Sequence, residues 1–176
     1  MRILGLDPGM ATTGYAILWL GDAGAVELVE YGVFETPPGE PEHARLARLH
    51  NWLCTFLSVR HPEAVAVERP YPNPKMAAAI VTSAAAWGVI VTAAARAGVR
   101  VVADYQPSAV KAAAGVKRGA KKAAVRAALS ERFGAKLRGR DDGLDAIAVA
   151  LAHVATLQRE AEYAADVRRG VIGGVA

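Results

Sequence analysis

Leu4-Gly5-Leu6-Asp7-Pro8-Gly9, with Ile3 before it, is the stretch that decides the fold. The apolar run is short and stops abruptly at Asp7-Pro8-Gly9. A run of this length, closed by Pro and Gly, reads as a buried strand ending at a turn. Asp7 then stands at the carboxyl end of a central strand. A carboxylate buried there costs free energy unless positive charge holds it. The expectation built outward from Asp7 is therefore a metal site acting on a nucleic acid.

Gly14 to Leu20 alternates Tyr15, Ile17 and Trp19 with Ala16, Leu18 and Leu20, a second strand. Gly21-Asp22-Ala23-Gly24 is a hairpin turn, and Val26 to Phe34 a third strand. After the break at Thr36-Pro37-Pro38-Gly39, Leu46, Leu49, Leu53, Phe56 and Leu57 recur at helical spacing, predicting a helix over Glu42 to Val59. Cys54 lies beside that stripe and reads as a small core residue. Ala64 to Val67 is a short strand that delivers Glu68, and the prolines at 70, 72 and 74 make the next loop rigid. A long Ala-rich helix over Lys75 to Ala97 closes at Gly98 and is apolar on most faces, so one side suits a subunit interface. Val99 to Ala103 is a fifth strand. Helices are expected over Pro107 to Ala114, over Lys121 to Phe133, and from Asp141 or Asp142 to about Gln158. Trp52 and Trp87 suit the core or an interface. Strands joined by tight turns pair antiparallel, whereas strands separated by helices pair parallel. The fold class expected is α/β: a mixed five-stranded sheet with helices on both faces. One domain spans 1–157, and 158–176 forms a C-terminal tail without a clear apolar stripe, the pattern of a mobile segment.

At 176 residues and 53% hydrophobic content the chain can bury a sizeable core. The single Cys54 excludes an intramolecular disulfide and a thiolate-rich zinc site. The nearest approach to a membrane span, Met76 to Ala95, is interrupted by Thr82, Ser83, Gly88 and Thr92 and reads as a buried helix. The first residues lack the basic lead and cleavage site of a signal peptide. A cytoplasmic protein without a membrane partner is expected. The net charge is only +4, but from Arg96 to Arg140 there are twelve Lys or Arg against two acids, Asp104 and Glu131. So one-sided a block suits a polyanion; its bland alternative is a solvated basic face.

Acids recur where buried elements end: Asp7, Glu68, and the cluster Asp141-Asp142-Gly143-Leu144-Asp145. Asp142 and Asp145, three apart on a helix, share a face. Neighbouring carboxylates repel unless a cation lies between them, and hard oxygen ligands suit Mg²⁺ or Mn²⁺. Two such ions roughly 4 Å apart can activate a water and stabilise the leaving oxygen of a phosphodiester. Each acid also has a plainer reading. Asp141 suits a helix N-cap, Asp142 a complement to the helix dipole, Asp7 a turn cap, and Glu68 a strand-end charge. His153 lies nearly in phase with Asp142 but about 16 Å further along the helix, too far to join the cluster.

With these residues in place, the sequence resembles the RuvC family of Holliday junction resolvases. Leu4-Gly5-Leu6-Asp7-Pro8-Gly9 followed by Thr13-Gly14-Tyr15 is similar to the family's opening, Val65-Ala66-Val67-Glu68 to its second acidic strand, and Asp142-Gly143-Leu144-Asp145-Ala146 to its D-x-x-D-A helix. The likeness extends to about His153. It implies a ribonuclease H-like fold, a homodimer, and paired Mg²⁺-dependent nicks placed symmetrically across four-way junction DNA, with a branch-migration motor as partner. It assigns metal binding and catalysis to Asp7, Glu68, Asp142 and Asp145. Lys111 and Lys122 match lysines that contact the DNA backbone near the cut. Tyr71 falls where the family often has an aromatic that stacks on bases, a contact contributing roughly 1–3 kcal/mol. Lys117, Arg118 and Lys121 extend the basic loop beyond the family's pattern, and the loop after Glu68 carries extra prolines.

Three other readings compete. An ATP-binding fold of the actin and sugar-kinase type shares a D-x-G opening but needs a second lobe that 176 residues cannot supply. A ribosomal-RNA-processing nuclease of the same fold fits the opening but not the Ala-rich helix and basic block. A non-catalytic junction-binding module would be expected to lack one of the acids, and here all are present.

Overall fold

A computed structural model describes residues 1–22, 24–71, 77–117 and 119–169. Ten elements follow one another: β1 (Arg2–Asp7), β2 (Thr12–Leu20), β3 (Val26–Glu35), α1 (Glu42–Arg60), β4 (Ala64–Glu68), α2 (Ala77–Arg96), β5 (Val101–Tyr105), α3 (Pro107–Ala113), α4 (Lys122–Arg132) and α5 (Asp141–Arg168). The sheet order is β3-β2-β1-β4-β5. The hairpin-linked strands β1, β2 and β3 are antiparallel, and β1, β4 and β5 are parallel. The mixed five-stranded sheet is thus the one expected, with β1 at its centre.

Successive side chains of a strand point to opposite faces, and the two faces differ in size. Leu4, Leu6, Ile17, Val65 and Val67 pack against Leu49, Leu53 and Leu57 of α1 and Ala86, Ile90, Ala93 and Ala94 of α2. Trp52 stacks on Phe34 at 4.7 Å between ring centres and meets Tyr15 and Phe56 at the edge of this layer. The opposite face carries Ile3, Gly5, Ala16, Leu18, Ala64 and Ala66, mostly small, under α5, α3 and α4.

Small residues bring α5 onto the sheet backbone to backbone. A methyl group on Gly5 would lie 2.7 Å from the backbone nitrogen of Ala150, and one on Gly143 would lie 3.0 Å from the Gly32 carbonyl oxygen. A methyl group on Gly14 would collide with the carbonyl of Asp142. Gly5, Gly14 and Gly143 therefore fix the height of the first turns of α5 above β1, β2 and β3.

Several element ends depart from the sequence expectation. β5 begins at Val101 rather than Val99, because Val99 N–H still closes α2 by donating to Ala94 O at 3.2 Å, with Gly98 left-handed at φ 74°. The last helix does not end near Gln158 but continues to Arg168. Good helix formers such as Glu160, Ala161, Glu162, Ala164 and Ala165 sustain it where the apolar stripe stops. Asp141 is not an N-cap: Arg140 holds that position with no side-chain cap bond. The start of the Ala-rich helix at Lys75 and the loop prolines 72 and 74 lie outside the described residues, as does 170–176 of the expected tail.

Gly14→Ala should force α5 away from β2 and destabilise the fold by about 1–3 kcal/mol. Denaturant unfolding measures it; an unchanged midpoint would show that the close approach at Gly14 does not limit packing.

Candidate active site

Register brings the first two acids together. Leu6 pairs with Val67 in the parallel β1–β4 ladder, so Asp7 and Glu68 end adjacent strands side by side, both on the α5 face. Asp7 also pairs with Gly14 across β2, and Gly14 lies under Asp142. One bare glycine thus lets the first turn of α5 approach the end of β1. Asp145 follows one helical turn later.

The field at this end of the sheet is strongly negative. Burial, reinforced by Glu68 and Asp142 and opposed by Lys122, raises Asp7 to a pKa of about 7. Burial also raises Glu68, against the pull of Lys122 and Lys111. Lys122, at the start of α4, makes an ion pair with Asp145. Arg140 Nε lies 3.5 Å from Asp142 Oδ2 and the same guanidinium pairs with Glu35. Among the described residues no three His, Cys, Asp or Glu side chains converge into a ready cage for a metal ion. The acids instead form a cluster whose nearest cations are Lys122 and Arg140.

The donor set nevertheless fits a hard divalent ion. The groups are carboxylates only, and Asp7 bears a proton-affinity penalty that a cation would relieve. Mg²⁺ is commonly held by one or two carboxylates together with water and substrate phosphate rather than by an all-protein cage. Asp7 and Glu68, with Asp142 and Asp145 of α5 beside them, are the residues that could hold such an ion.

Open cavities surround Glu68. One of about 150 Å³ is lined by Asp7, Glu68, Arg69, Tyr71 and Ser83. A second, of about 600 Å³, runs from Glu68 past Lys111, Lys121 and Lys122 to Asp145. The structure thus gathers Asp7, Glu68, Asp145, Tyr71, Lys111, Lys121 and Lys122 around one trough, with Asp142 within range of Asp7. Lys117 is exposed in the α3–α4 loop and lines none of these cavities. Arg118 lies outside the described residues.

Several supporting residues carry no sequence signal of their own. Arg69 pairs with Asp104 at 2.6 Å and its backbone N–H donates to Tyr105 O at 2.9 Å, while Trp87 Nε1–H donates to Asp104 Oδ1 at 3.2 Å. Together they tie the end of β4, and with it Glu68, to β5 and α2. Arg126 donates to Leu137 O and Gly139 O and pairs with Asp141 at 2.8 Å, so Asp141 anchors the loop entering α5. His153 is buried and hydrogen-bonds the Tyr105 hydroxyl through Nδ1 at 2.7 Å; burial lowers its pKa. Only adjacency to Glu68 singles out Arg69; the other contacts depend on tertiary structure.

Comparison with known proteins agrees with this geometry. The profile of the family described as crossover junction endodeoxyribonuclease RuvC matches residues 3–153. The RuvC of Syntrophomonas wolfei is 37% identical over 155 residues, 88% of each chain. That of Chloroflexus aggregans is 37% identical over 163 residues, 90% of this chain and 98% of its own. The structure of Thermus thermophilus RuvC in complex with a Holliday junction substrate superimposes with a TM-score of 0.73 at 31% identity, covering 90% of this chain and 96% of that one. The yeast mitochondrial Holliday junction resolvase Ydc2, at 14% identity and a TM-score of 0.62, shares the fold. The chain belongs to the RuvC family of crossover junction endodeoxyribonucleases.

Proposed function

We propose that this chain resolves four-way DNA junctions by paired, symmetric nicks that require Mg²⁺, or Mn²⁺ in its place. The observation that carries the reading is the meeting of Asp7, Glu68 and the first turns of α5 at one sheet end, beside Lys111 and Lys122. Asp7, Glu68, Asp142 and Asp145 hold the metal. When bound, it supplies an activated water and charge stabilisation at the leaving oxygen. Lys111 and Lys122 seat the scissile phosphate and offset its charge, and Lys117, Arg118 and Lys121 extend the contact along the backbone. Tyr71, 64% exposed beside Glu68, stacks on an unpaired base at the crossover. A branch-migration motor working on the same junction, in the cytoplasm, completes the setting.

Symmetric nicks need two such centres, hence a homodimer. Helix α2 supports one. It is long and apolar enough to cross a membrane by length and composition, yet only 22% of that stretch is buried. Its inner side, Ala86, Ile90, Ala93 and Ala94, packs on the sheet, while Ala78, Val81, Ala84 and Ala95 face outward. Val81 is 68% exposed. A second copy of the chain is the occupant that fits this face and supplies the second cut.

Asp7→Asn should lower junction cutting by at least about a hundredfold, while junction binding measured by gel shift persists. Cutting at the parental rate would sink the metal-site assignment.

The raised pKa of Asp7 has a consequence for stability. An acid whose folded pKa exceeds its unfolded value holds extra protons when folded, so stability is lost as pH rises from about 4 to about 7. Without metal, Asp7→Asn should therefore melt higher than the parent at pH 8, the gap closing toward pH 4 and narrowing when Mg²⁺ is added. A gap independent of pH would show that Asp7 does not carry this penalty.

Val81→Glu should dissociate the dimer, halving the mass seen by sedimentation, and uncouple the two nicks. An unchanged mass would place the interface elsewhere.

A further inference from the structure

Beside the carboxylate trough lies a third cavity of about 320 Å³, lined by Tyr71, Gln106, Pro107, Ser108 and Lys111. It shares Lys111 and Pro107 with the trough that holds Glu68, Lys122 and Asp145, and Tyr71 with the cavity that holds Asp7. Its volume lies within the range of small-molecule sites. Its chemistry differs from the rest of the trough. Lys111, Lys121 and Lys122 are point charges suited to phosphate, which carries no sequence information. Gln106 and Ser108 are neutral hydrogen-bonding groups flanking an exposed aromatic ring.

Among the described residues neither side chain has a hydrogen-bond partner, and both are exposed. Gln106 occupies the N-cap position of α3, yet it makes no side-chain cap bond; Pro107 follows at the start of the helix and has no N–H to offer. The Gln106 backbone is engaged, its carbonyl accepting from Ala109 and Val110 at 2.9 and 3.2 Å. The backbone is therefore fixed while the amide faces solvent. Ser108 is likewise exposed, one residue into the helix. An amide presents a donor and an acceptor side by side, and a hydroxyl can serve as either. These are the groups that tell one base edge from another.

Resting on the junction-cutting reading above, we propose that this cavity is a nucleobase subsite. The base next to the scissile phosphate stacks on Tyr71, Lys111 holds that phosphate, and Gln106 and Ser108 hydrogen-bond the base edge, so these two residues set the nucleotide preference of the cut. Tyr71 and Lys111 bind any sequence; Gln106 and Ser108 discriminate.

The test is a competition of four-way junctions with randomised bases around the crossover, the cut products being sequenced for the parent, Gln106→Ala and Ser108→Ala. Both side chains are exposed, so folding survives the changes. The parent should favour certain bases beside the cut. The ratio of best to worst base should drop about tenfold in Gln106→Ala and measurably in Ser108→Ala. Gln106→Glu, which loses the donor, should change which base is favoured. A parent that cuts junctions without preference overturns the inference and leaves the junction-cutting reading intact. So does an undiminished ratio in the variants, even with slower cutting throughout, because a merely structural role lowers all rates alike. A parent that cuts no junction overturns both.

Discussion

Everything at the catalytic end depends on how closely α5 lies against the sheet. The helix would stand further off if side chains separated it from β1 and β2. Instead Gly5, Gly14 and Gly143 leave backbone facing backbone, with Ala16, Ala64, Ala66, Ala146 and Ala150 among the residues of the surrounding layer. The other face of the same strands carries Leu4, Leu6, Ile17, Val65 and Val67 and is bound by ordinary side-chain interdigitation. The division of labour follows from the alternation of the strands. The strand side chains toward α1 and α2 are mostly large, and those toward α5 include the small residues that let the helix approach. Asp7 lies on the small face and so meets Asp142 across a glycine.

That closeness has an electrostatic cost. Carboxylates neighbour one another where water is partly excluded, and burial with Glu68 and Asp142 nearby raises the pKa of Asp7 to about 7. Lys122 on Asp145 and Arg140 near Asp142 offset part of the charge. Both cations belong to elements that border the trough rather than to the sheet. Both side chains are more than half exposed, so they neutralise the acids from the rim of the site without being part of the core.

The central strand, the hairpin, the second acidic strand and the paired acids of α5 were legible because each is local: a short apolar run, a turn signal, or a spacing of three on a helix. Where local patterns compete, the reading slipped. Val99 looks like a strand residue but spends its N–H closing α2. Residues 159–168 lack an apolar stripe but are strong helix formers, so α5 runs on. Lys117 looked equivalent to Lys121 and Lys122, yet α4 lifts only the latter two into the trough. The Arg69–Asp104–Trp87 tie and the Tyr105–His153 bond join residues far apart in the chain, and no spacing rule reports them. His153, correctly kept apart from the acids, serves the join between α5 and β5.

The order of elements also governs when the site comes into being. The ribosome releases β1, β2 and β3 first, and these close locally; β4 then sets Glu68 beside Asp7. Helix α5, which packs on this face together with α3 and α4, is the last of the described elements to emerge. A nascent chain still lacking α5 therefore carries Asp7 and Glu68 without Asp142 and Asp145. Domains fold as units during synthesis, and here the unit is completed by its final helix. The four acids are thus brought to one sheet end only after α5 has been made.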